Sequence, residues 1–357
     1  MNLLPAIPKN KRPIIIAGPC SAETEEQLYN TCIQLAQSKQ VDVLRAGIWK
    51  PRTRPGHFEG VGEVGLQWLQ KIKQETGLPV TIEVANAKHA ALALEYGIDM
   101  LWIGSRTTTN PFSVQEIAEA LKGVQIPVLV KNPPNPDLGL WAGAIERFYK
   151  CGIQQIGALH RGFSTYKKSM YRNPPQWEIP IELKRELPNI QLLCDPSHIA
   201  GRRDLIPDLS QYACELHFDG LMIETHHAPA AAWSDAKQQL TPQALFNLLQ
   251  NLVVPKASLN QQQDQSKLKV LRENINKIDQ ELLELLASRM EVSKAIGCFK
   301  RQNNLAILQQ KRWSNLLENR ITEGQELGLS EAFLKKYLDA LHQESIQQQH
   351  QIPVLKN

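Results

Sequence analysis

Hydrophobic residues in the first 255 positions recur as short, unbroken, β-branched runs, each followed by a polar or Gly-containing loop and then a stretch of helical period. The runs predict eight strands, over 14–17, 41–45, 80–83, 100–103, 127–131, 155–159, 191–194 and 220–224. Between them, 25–38, 65–76, 88–95, 113–122 and 141–149 carry apolar residues at steps of three and four and read as helices. Continuous apolar strands alternating with amphipathic helices indicate a parallel sheet covered on both faces. Eight such units in 255 residues predict an α/β fold, a (β/α)8 barrel, although a doubly wound open sheet gives a similar rhythm. The polar residues favour the barrel. Cys20, Arg45, Glu83, Arg106, Lys131, Arg161, His198 and Glu224 stand at or just after successive strand ends, which a barrel gathers into one mouth.

The pattern changes at Pro255. Residues 256–265 (KASLNQQQDQ) are polar, Gln-rich and aperiodic, and read as a linker between a domain at 1–255 and a second at 266–357. Beyond it Leu268, Leu271, Ile275, Ile278, Leu282 and Leu285 step by three and four behind Ser266, a predicted cap, and one helix is expected to run to about Lys300. Further helical patterns over 309–324 and 330–349 complete a small all-α domain. So long a first helix in a three-helix unit needs a partner chain to bury its seam, which predicts a homodimer through this domain.

Composition narrows the function classes. A length of 357 residues exceeds what one core usually fills, in keeping with two domains. Net charge is only +4, without long blocks of one sign, so nucleic acid is not an expected partner and local clusters must carry any anion binding. Six scattered cysteines without a CxxC pair fit a reducing cytoplasm. The opening MNLLPAIPKNKRP lacks a signal-peptide core, and no run approaches the ~18 apolar residues of a membrane span.

Against that near-neutral background, LRAGIWKPRT at 44–53 is a cationic loop: Arg45, Lys50 and Arg52 lie around Pro51, with Arg54 and Pro55 next. Proline fixes φ, so less ordering entropy is lost when an anion binds there. Arg106, Lys131, Arg161 and Arg202 or Arg203 extend the cationic set at the same rim, and two phosphorylated substrates account for it economically. Cys20, His198, Glu224 and Asp235 form a mixed thiolate, imidazole and carboxylate set suited to Mn²⁺, Fe²⁺, Co²⁺ or Zn²⁺ rather than Mg²⁺, with His226 and His227 as competing ligands. In the second domain, Arg289 and Lys300 fall within about 20° of one helix face, roughly 16 Å apart along the axis, and can grip a small dicarboxylate. Arg272 lies about 100° away and suits a site on another protomer.

AGPCSAE, LRAGIWKPRT, WIGSRTT, PVLVKNP, LLCDPSHIAGRRDL and DGLMIETHHAPAAAWSDAKQQLTP, in order over 13–245, resemble the 3-deoxy-D-arabino-heptulosonate 7-phosphate (DAHP) synthases, in the branch related to 3-deoxy-octulosonate 8-phosphate synthases. The resemblance implies a TIM barrel that condenses phosphoenolpyruvate with erythrose 4-phosphate, using one divalent metal ion, Mn²⁺ foremost. It places Cys20, His198, Glu224 and Asp235 on the metal, and Arg45, Lys50, Glu83, Gly104, Ser105, Arg106, Lys131 and Arg161 around phosphoenolpyruvate. It places Pro51, Arg52 and Thr53 on the sugar phosphate. Lys50, Lys131 and His198 are the expected catalytic groups, while Asp195, His198 and Glu83 are alternatives for orienting the added water. Ser105 replaces a common alanine, and LHRG at 159–162 leaves a role for His160 open. KPRT rather than a KANR-type loop speaks against arabinose 5-phosphate, the octulosonate synthases' substrate.

LRENINKIDQELLELLASRMEVSKAIGCFK resembles the all-helical chorismate mutases. Arg272, Arg289, Lys300, Arg312, Ser345 and Gln349 match that family's binding positions, with Lys300 and Gln349 as donors to the ether oxygen of chorismate. Gln309 replaces a common Asp and Trp313 a frequent Glu, so the substrate-hydroxyl contact departs from the pattern. The two resemblances together imply a bifunctional shikimate-pathway enzyme, with prephenate or chorismate at the helical domain inhibiting the barrel. The rival reading makes the helical domain a non-catalytic sensor and dimeriser.

Overall fold

The computed structural model describes residues 13–51, 56–255 and 262–351. Eight parallel strands, β1 (Ile14–Gly18), β2 (Val43–Arg45), β3 (Val80–Val84), β4 (Met100–Ile103), β5 (Val128–Lys131), β6 (Ile156–His160), β7 (Gln191–Cys194) and β8 (Gly220–Glu224), pair in sequence order. The barrel closes where β1 meets β8, Ile14 opposite Gly220 and Gly18 opposite Glu224. Around it lie α1 (Glu25–Gln37), α2 (Val64–Thr76), α3 (Ala87–Glu95), α4 (Pro111–Ala120), α5 (Leu138–Lys150), α6 (Glu178–Glu186), α7 (Ile206–Glu215) and α8 (Pro242–Asn251). Short helical turns at Ser105–Thr108 and Pro196–Ala200 sit in the loops after β4 and β7.

All eight expected strands are present, with end shifts that have local causes. β2 begins at Val43 because the Asp42 carboxylate accepts the Ile15 N–H at 2.7 Å, replacing a ladder bond. Helix α4 begins at Pro111, two residues before the expected start, because Asn110 caps the Phe112 and Ser113 N–H groups and proline suits the first helical position.

The alternation of side chains along each strand splits the barrel core in two. Ile16, Val43, Met100, Trp102, Leu129, Leu159, Leu193 and Met222 fill the interior. Ile15, Ala17, Leu44, Ile82, Ile103, Val130, Ala158 and Ile223 face the helices. The interior packing stops at Trp102, so the polar residues beyond it at the carboxyl ends of the strands form an open mouth.

The chain divides into two compact units, Met1–Ala257 and Ser258–Asn357. The second contains α9 (Gln262–Gln302), α10 (Gln310–Glu326) and α11 (Glu331–His350), with Ser330 capping the Phe333 N–H. Helix α9 starts four residues before Ser266, so that serine lies inside the helix and is not its cap, and 262–265 belong to the helix rather than to a linker. The Gln-rich run contains no proline or glycine, and glutamine is a good helix former, so nothing local stops the helix there. Positions 256–261 of the expected linker lie outside the described residues. Among the described residues no helix is long and apolar enough to cross a membrane.

Candidate functional site

The indole of Trp102 floors the barrel mouth. It is fully buried, donates its Nε1–H to Glu83 Oε2 at 3.2 Å, and carries the Arg45 guanidinium 4.8 Å and the Lys131 ammonium 5.8 Å from its ring centroid. Arg45 is itself buried, with Nη2 3.3 Å from Glu224 Oε1 and bonded to the Cys20 carbonyl, while its Nε and Nη1 lack partners. Unsatisfied donors on a buried cation are costly unless an anion takes them up. Lys131 Nζ lies 2.8 Å from Asp195 Oδ2, and His198 Nδ1 lies 2.8 Å from the same oxygen. Burial pushes the Asp195 carboxyl up, but His198 and Lys131 outweigh it and hold the group well below the usual carboxylate range. Asp195 is therefore a fixed anion orienting a cation and an imidazole.

Gly104 follows β4 where a Cβ would lie 2.0 Å from Glu83 Oε1, so any larger residue requires the carboxylate to move. Gly104→Ala is expected to displace the Glu83 carboxylate from Trp102 and raise the KM for the anionic substrate about tenfold, corresponding to loss of one or two hydrogen bonds of the floor. Steady-state kinetics check this. Ser105 Oγ is buried without a partner beside it. Arg106 is exposed, and Arg161 is bonded to Asn173 Oδ1 at 2.9 Å. Burial, then the nearby Arg172 and Arg106 charges, push the Arg161 guanidinium down to about 10, against the pull of Asp195. It remains a cation at neutral pH.

On the opposite side of Arg45, Cys20, Glu224 and Asp235 bring one ligand atom each to within 4.8 Å of one another. Cys20 Sγ meets Asp235 Oδ2 at 3.4 Å and Lys50 Nζ at 3.5 Å. Glu224 Oε1 is buried without a hydrogen bond, and His198 Nε2 approaches it at 3.6 Å. A thiol and two carboxylates aimed at one point, with a buried carboxylate oxygen that has the Arg45 ion pair but no hydrogen bond and an imidazole at the rim, fit a borderline divalent ion. Burial, then Glu224, push the Cys20 thiol up to about 12. Burial raises Glu224 and Asp235 too, but His198 with Arg45, and His198 with Arg172, bring both carboxyls below their usual range.

The competing histidines face elsewhere. His226 Nδ1 accepts the Ala228 N–H and its Nε2 lies 3.7 Å from Glu23, while His227 bonds Thr31. His160 lies outside the mouth, among Trp141, Phe163, Trp177 and Phe218, where burial pushes its imidazole down to about 3. It is a neutral packing residue. Arg52 and Thr53 lie outside the described residues, and Pro51 is the last described residue before them.

In the helical unit, Arg289, Lys300, Gln309, Arg312, Trp313, His342, Ser345 and Gln349 line a cavity of about 250 Å³, whose lining among the described residues contains no Asp or Glu. Arg289 Nη1 donates to Ser345 Oγ at 2.6 Å, Gln349 Nε2 to Ser293 Oγ at 3.0 Å and Lys300 Nζ to the Ile307 carbonyl at 2.6 Å. Gln349 Oε1 is buried and unpartnered. Trp313 stacks on His342 at 3.8 Å. Arg272 is exposed and does not line this cavity.

Residues 6–258 match the family model described as DAHP synthetase I family. The chain belongs to that family. Residues 271–350 match the model described as Chorismate mutase type II, so the chain joins two enzyme families of the shikimate pathway. A phospho-2-dehydro-3-deoxyheptonate aldolase of Thermotoga maritima is 33% identical over 238 residues, spanning 67% of this chain and 68% of that protein. The crystal structure of the DAHP synthase from that organism superimposes with a TM-score of 0.61 at 32% identity, covering 68% of each chain. A 2-dehydro-3-deoxyphosphooctonate aldolase of Helicobacter pylori is 28% identical over 275 residues, or 69% of this chain and 96% of that protein.

The family's barrel mouth thus holds, among the described residues, Cys20, Arg45, Lys50, Glu83, Gly104, Lys131, Asp195, His198, Glu224 and Asp235 together. Sequence reasoning missed four residues that organise them. Trp102 has the inward parity of β4, the same as Met100. Gln239 Oε1 accepts the Cys20 N–H at 2.9 Å, and Gln238 Nε2 donates to Glu224 Oε2 at 2.7 Å. Arg172 bonds Asp235 Oδ1 at 2.9 Å from a loop without periodicity, and no local pattern announced it.

Proposed function

We propose that the barrel condenses phosphoenolpyruvate with erythrose 4-phosphate to DAHP and phosphate, and that the helical unit rearranges chorismate to prephenate. The observation that carries the first half is the cluster of Cys20, Glu224 and Asp235 beside the cations stacked on Trp102, in a chain of the DAHP synthetase I family. Cys20, His198, Glu224 and Asp235 would hold one divalent ion, with Mn²⁺ the first choice. Bound there, the ion supplies Lewis-acid polarisation of the aldehyde oxygen. Arg45, Lys131, Arg161 and Arg106 bind the phosphate and carboxylate of phosphoenolpyruvate and hold the enol carbon in attack geometry, with Ser105 beside them. Lys50, whose Nζ lies 3.5 Å from Cys20 Sγ, delivers a proton. Of the three groups considered for orienting water, Glu83 fits best. Its Oε1 has no hydrogen bond among the described residues, whereas Asp195 Oδ2 is engaged by Lys131 and His198. Pro51, Arg52 and Thr53 are assigned to the sugar phosphate.

In the helical unit, Arg289 and Arg312 bind carboxylates, and Lys300 and Gln349 donate to the ether oxygen. Arg272 serves the site of a second protomer. The homodimer this requires is supported by the apolar stripe of α9, where Leu271 is 53% and Leu285 67% exposed in the single chain. Fusion of the two families motivates feedback inhibition of the synthase by prephenate or chorismate.

One assay series tests the barrel reading. Chelation of the full chain should abolish DAHP formation and Mn²⁺ should restore it, with erythrose 4-phosphate preferred over arabinose 5-phosphate at least tenfold. Preference for arabinose 5-phosphate would reassign the chain to the octulosonate chemistry of its Helicobacter relative. A synthase rate that stays flat across a prephenate and a chorismate titration removes the feedback reading.

A further inference from the structure

Two adjacent residues tie both poles of the barrel mouth together. The loop between β6 and α6 runs back across it, and the Arg172 and Asn173 N–H groups bond the Ala200 and Ile199 carbonyls at 3.2 and 3.1 Å. Two glycines leave room for this pairing. A Cβ at Gly162 would lie 2.1 Å from the Asn173 carbonyl oxygen, one at Gly201 2.5 Å from Arg172 Cβ, and both glycines have positive φ, 75° and 70°. The paired segment then reaches in two directions. Arg172 Nη1 donates to Asp235 Oδ1 at 2.9 Å and to Gln238 Oε1 at 2.8 Å, and Gln238 holds Glu224 Oε2. Asn173 Nδ2 donates to the His198 carbonyl at 2.7 Å, while its Oδ1 accepts from Arg161 Nη1 at 2.9 Å.

The oxygens so engaged are the rear ones. Asp235 Oδ2 faces Cys20 Sγ, and Glu224 Oε1 is left without a hydrogen bond. Arg172 acts directly on one carboxylate and through Gln238 on the other, fixing which oxygen of each points into the cluster. It also steadies Asp235, whose φ of +49° is uncommon for a residue other than glycine. Asn173 joins the backbone of His198 to a cation on the phosphate side.

We propose that Arg172 and Asn173 form a positioning strap in which Arg172 orients the carboxylates for the divalent ion and Asn173 couples ion binding to phosphoenolpyruvate binding through Arg161. The inference rests on the metal reading of the Cys20, His198, Glu224 and Asp235 site. Partners that orient metal ligands typically contribute 10- to 100-fold in affinity. By linkage, any tightening of phosphoenolpyruvate by the ion equals the tightening of the ion by phosphoenolpyruvate.

Calorimetric titration of the metal-stripped full chain with Mn²⁺, with and without phosphoenolpyruvate, tests this without turnover. Arg172→Ala should weaken Mn²⁺ about 10- to 100-fold. Arg172→Lys should recover part of that loss, since an ammonium keeps the charge but not the planar fork. Asn173→Ala should leave Mn²⁺ affinity without phosphoenolpyruvate within a few-fold of the wild type while reducing the coupling factor towards one. Circular dichroism melts confirm that the variants fold, and Arg172→Lys carries the test if the alanine variant does not. Arg172 variants that bind Mn²⁺ like the wild type, or an Asn173→Ala chain with undiminished coupling, overturn the strap alone. A wild-type chain that takes up no divalent ion overturns the metal reading and the strap with it.

Discussion

Replacing Cys20 by alanine is expected to lower DAHP synthesis about a thousandfold while leaving chorismate rearrangement by the same chain within twofold of the wild type. The thiol is 2% exposed, meets Asp235 at 3.4 Å and belongs to the three-residue ligand group, so its loss removes a soft donor from the centre of the cluster. A factor of 10³ corresponds to about 4 kcal/mol of transition-state stabilisation, the several kcal/mol that a positioned Lewis acid contributes. pH supplies an independent check. Burial and Glu224 push the Cys20 thiol up to about 12, so at neutral pH the metal-free site carries a proton there. An ion that binds the thiolate must release that proton, so apparent affinity should rise with pH, by up to tenfold per unit from this group alone. In Cys20→Ala the part of the slope due to the thiol should vanish. A variant that keeps more than a tenth of the wild-type rate, or an unchanged slope, contradicts a ligand role for Cys20. Circular dichroism melts of the same preparations separate a lost donor from a lost fold.

The barrel was legible in the sequence because parallel strands covered on both faces must be continuously apolar and are punctuated by glycine, proline and capping residues. Ile14, Val80, Met100 and Gly220 each begin a strand at the expected residue. Cys20, Glu224 and Asp235 could be found because they end strands or occupy long family motifs. The groups that hold them were less accessible. Gln238 and Gln239 lie within a recognisable motif, but glutamines carry no chemical signal of their own, and only the fold shows which atom each one grips. Trp102 reads as one more core residue until its ring is seen under Arg45 and Lys131. Arg172 reads as a solvated loop cation, and its side chain is in fact 49% exposed, so neither burial nor period could have singled it out. In the helical unit the phase of α9 could be read because 3.6-residue geometry fixes directions over long distances, and Arg289 and Lys300 line one cavity that Arg272 does not. The start of α9 was placed too late, since a favourable cap at Ser266 says nothing about whether the residues before it also prefer helix.

Replacing Lys300 by alanine should lower the chorismate mutase rate about 10²- to 10³-fold, with DAHP synthesis unchanged without added prephenate or chorismate. The rearrangement is pericyclic and uses neither acid nor base, so the unit contributes by holding the compact conformer and stabilising charge that develops on the ether oxygen. The lining of the cavity suits that task electrostatically. Arg289, Lys300 and Arg312 line it with no carboxylate among the described lining residues, so a dicarboxylate entering it would meet cations that no described lining acid neutralises. Lys300 Nζ is anchored by the Ile307 carbonyl at 2.6 Å, which fixes the ammonium and leaves its other protons free for the substrate. Losing one such positioned donor costs 10²- to 10³-fold where it acts only in the transition state, so the fall should appear in kcat and kcat/KM together. Arg289→Ala should differ by raising KM more than it lowers kcat, since a carboxylate contact serves ground and transition states alike. The same comparison decides between an enzyme and a sensor. A helical unit that binds chorismate with no rearrangement in the wild type, or a Lys300→Ala chain within threefold of wild type, would make it a binding and dimerising module.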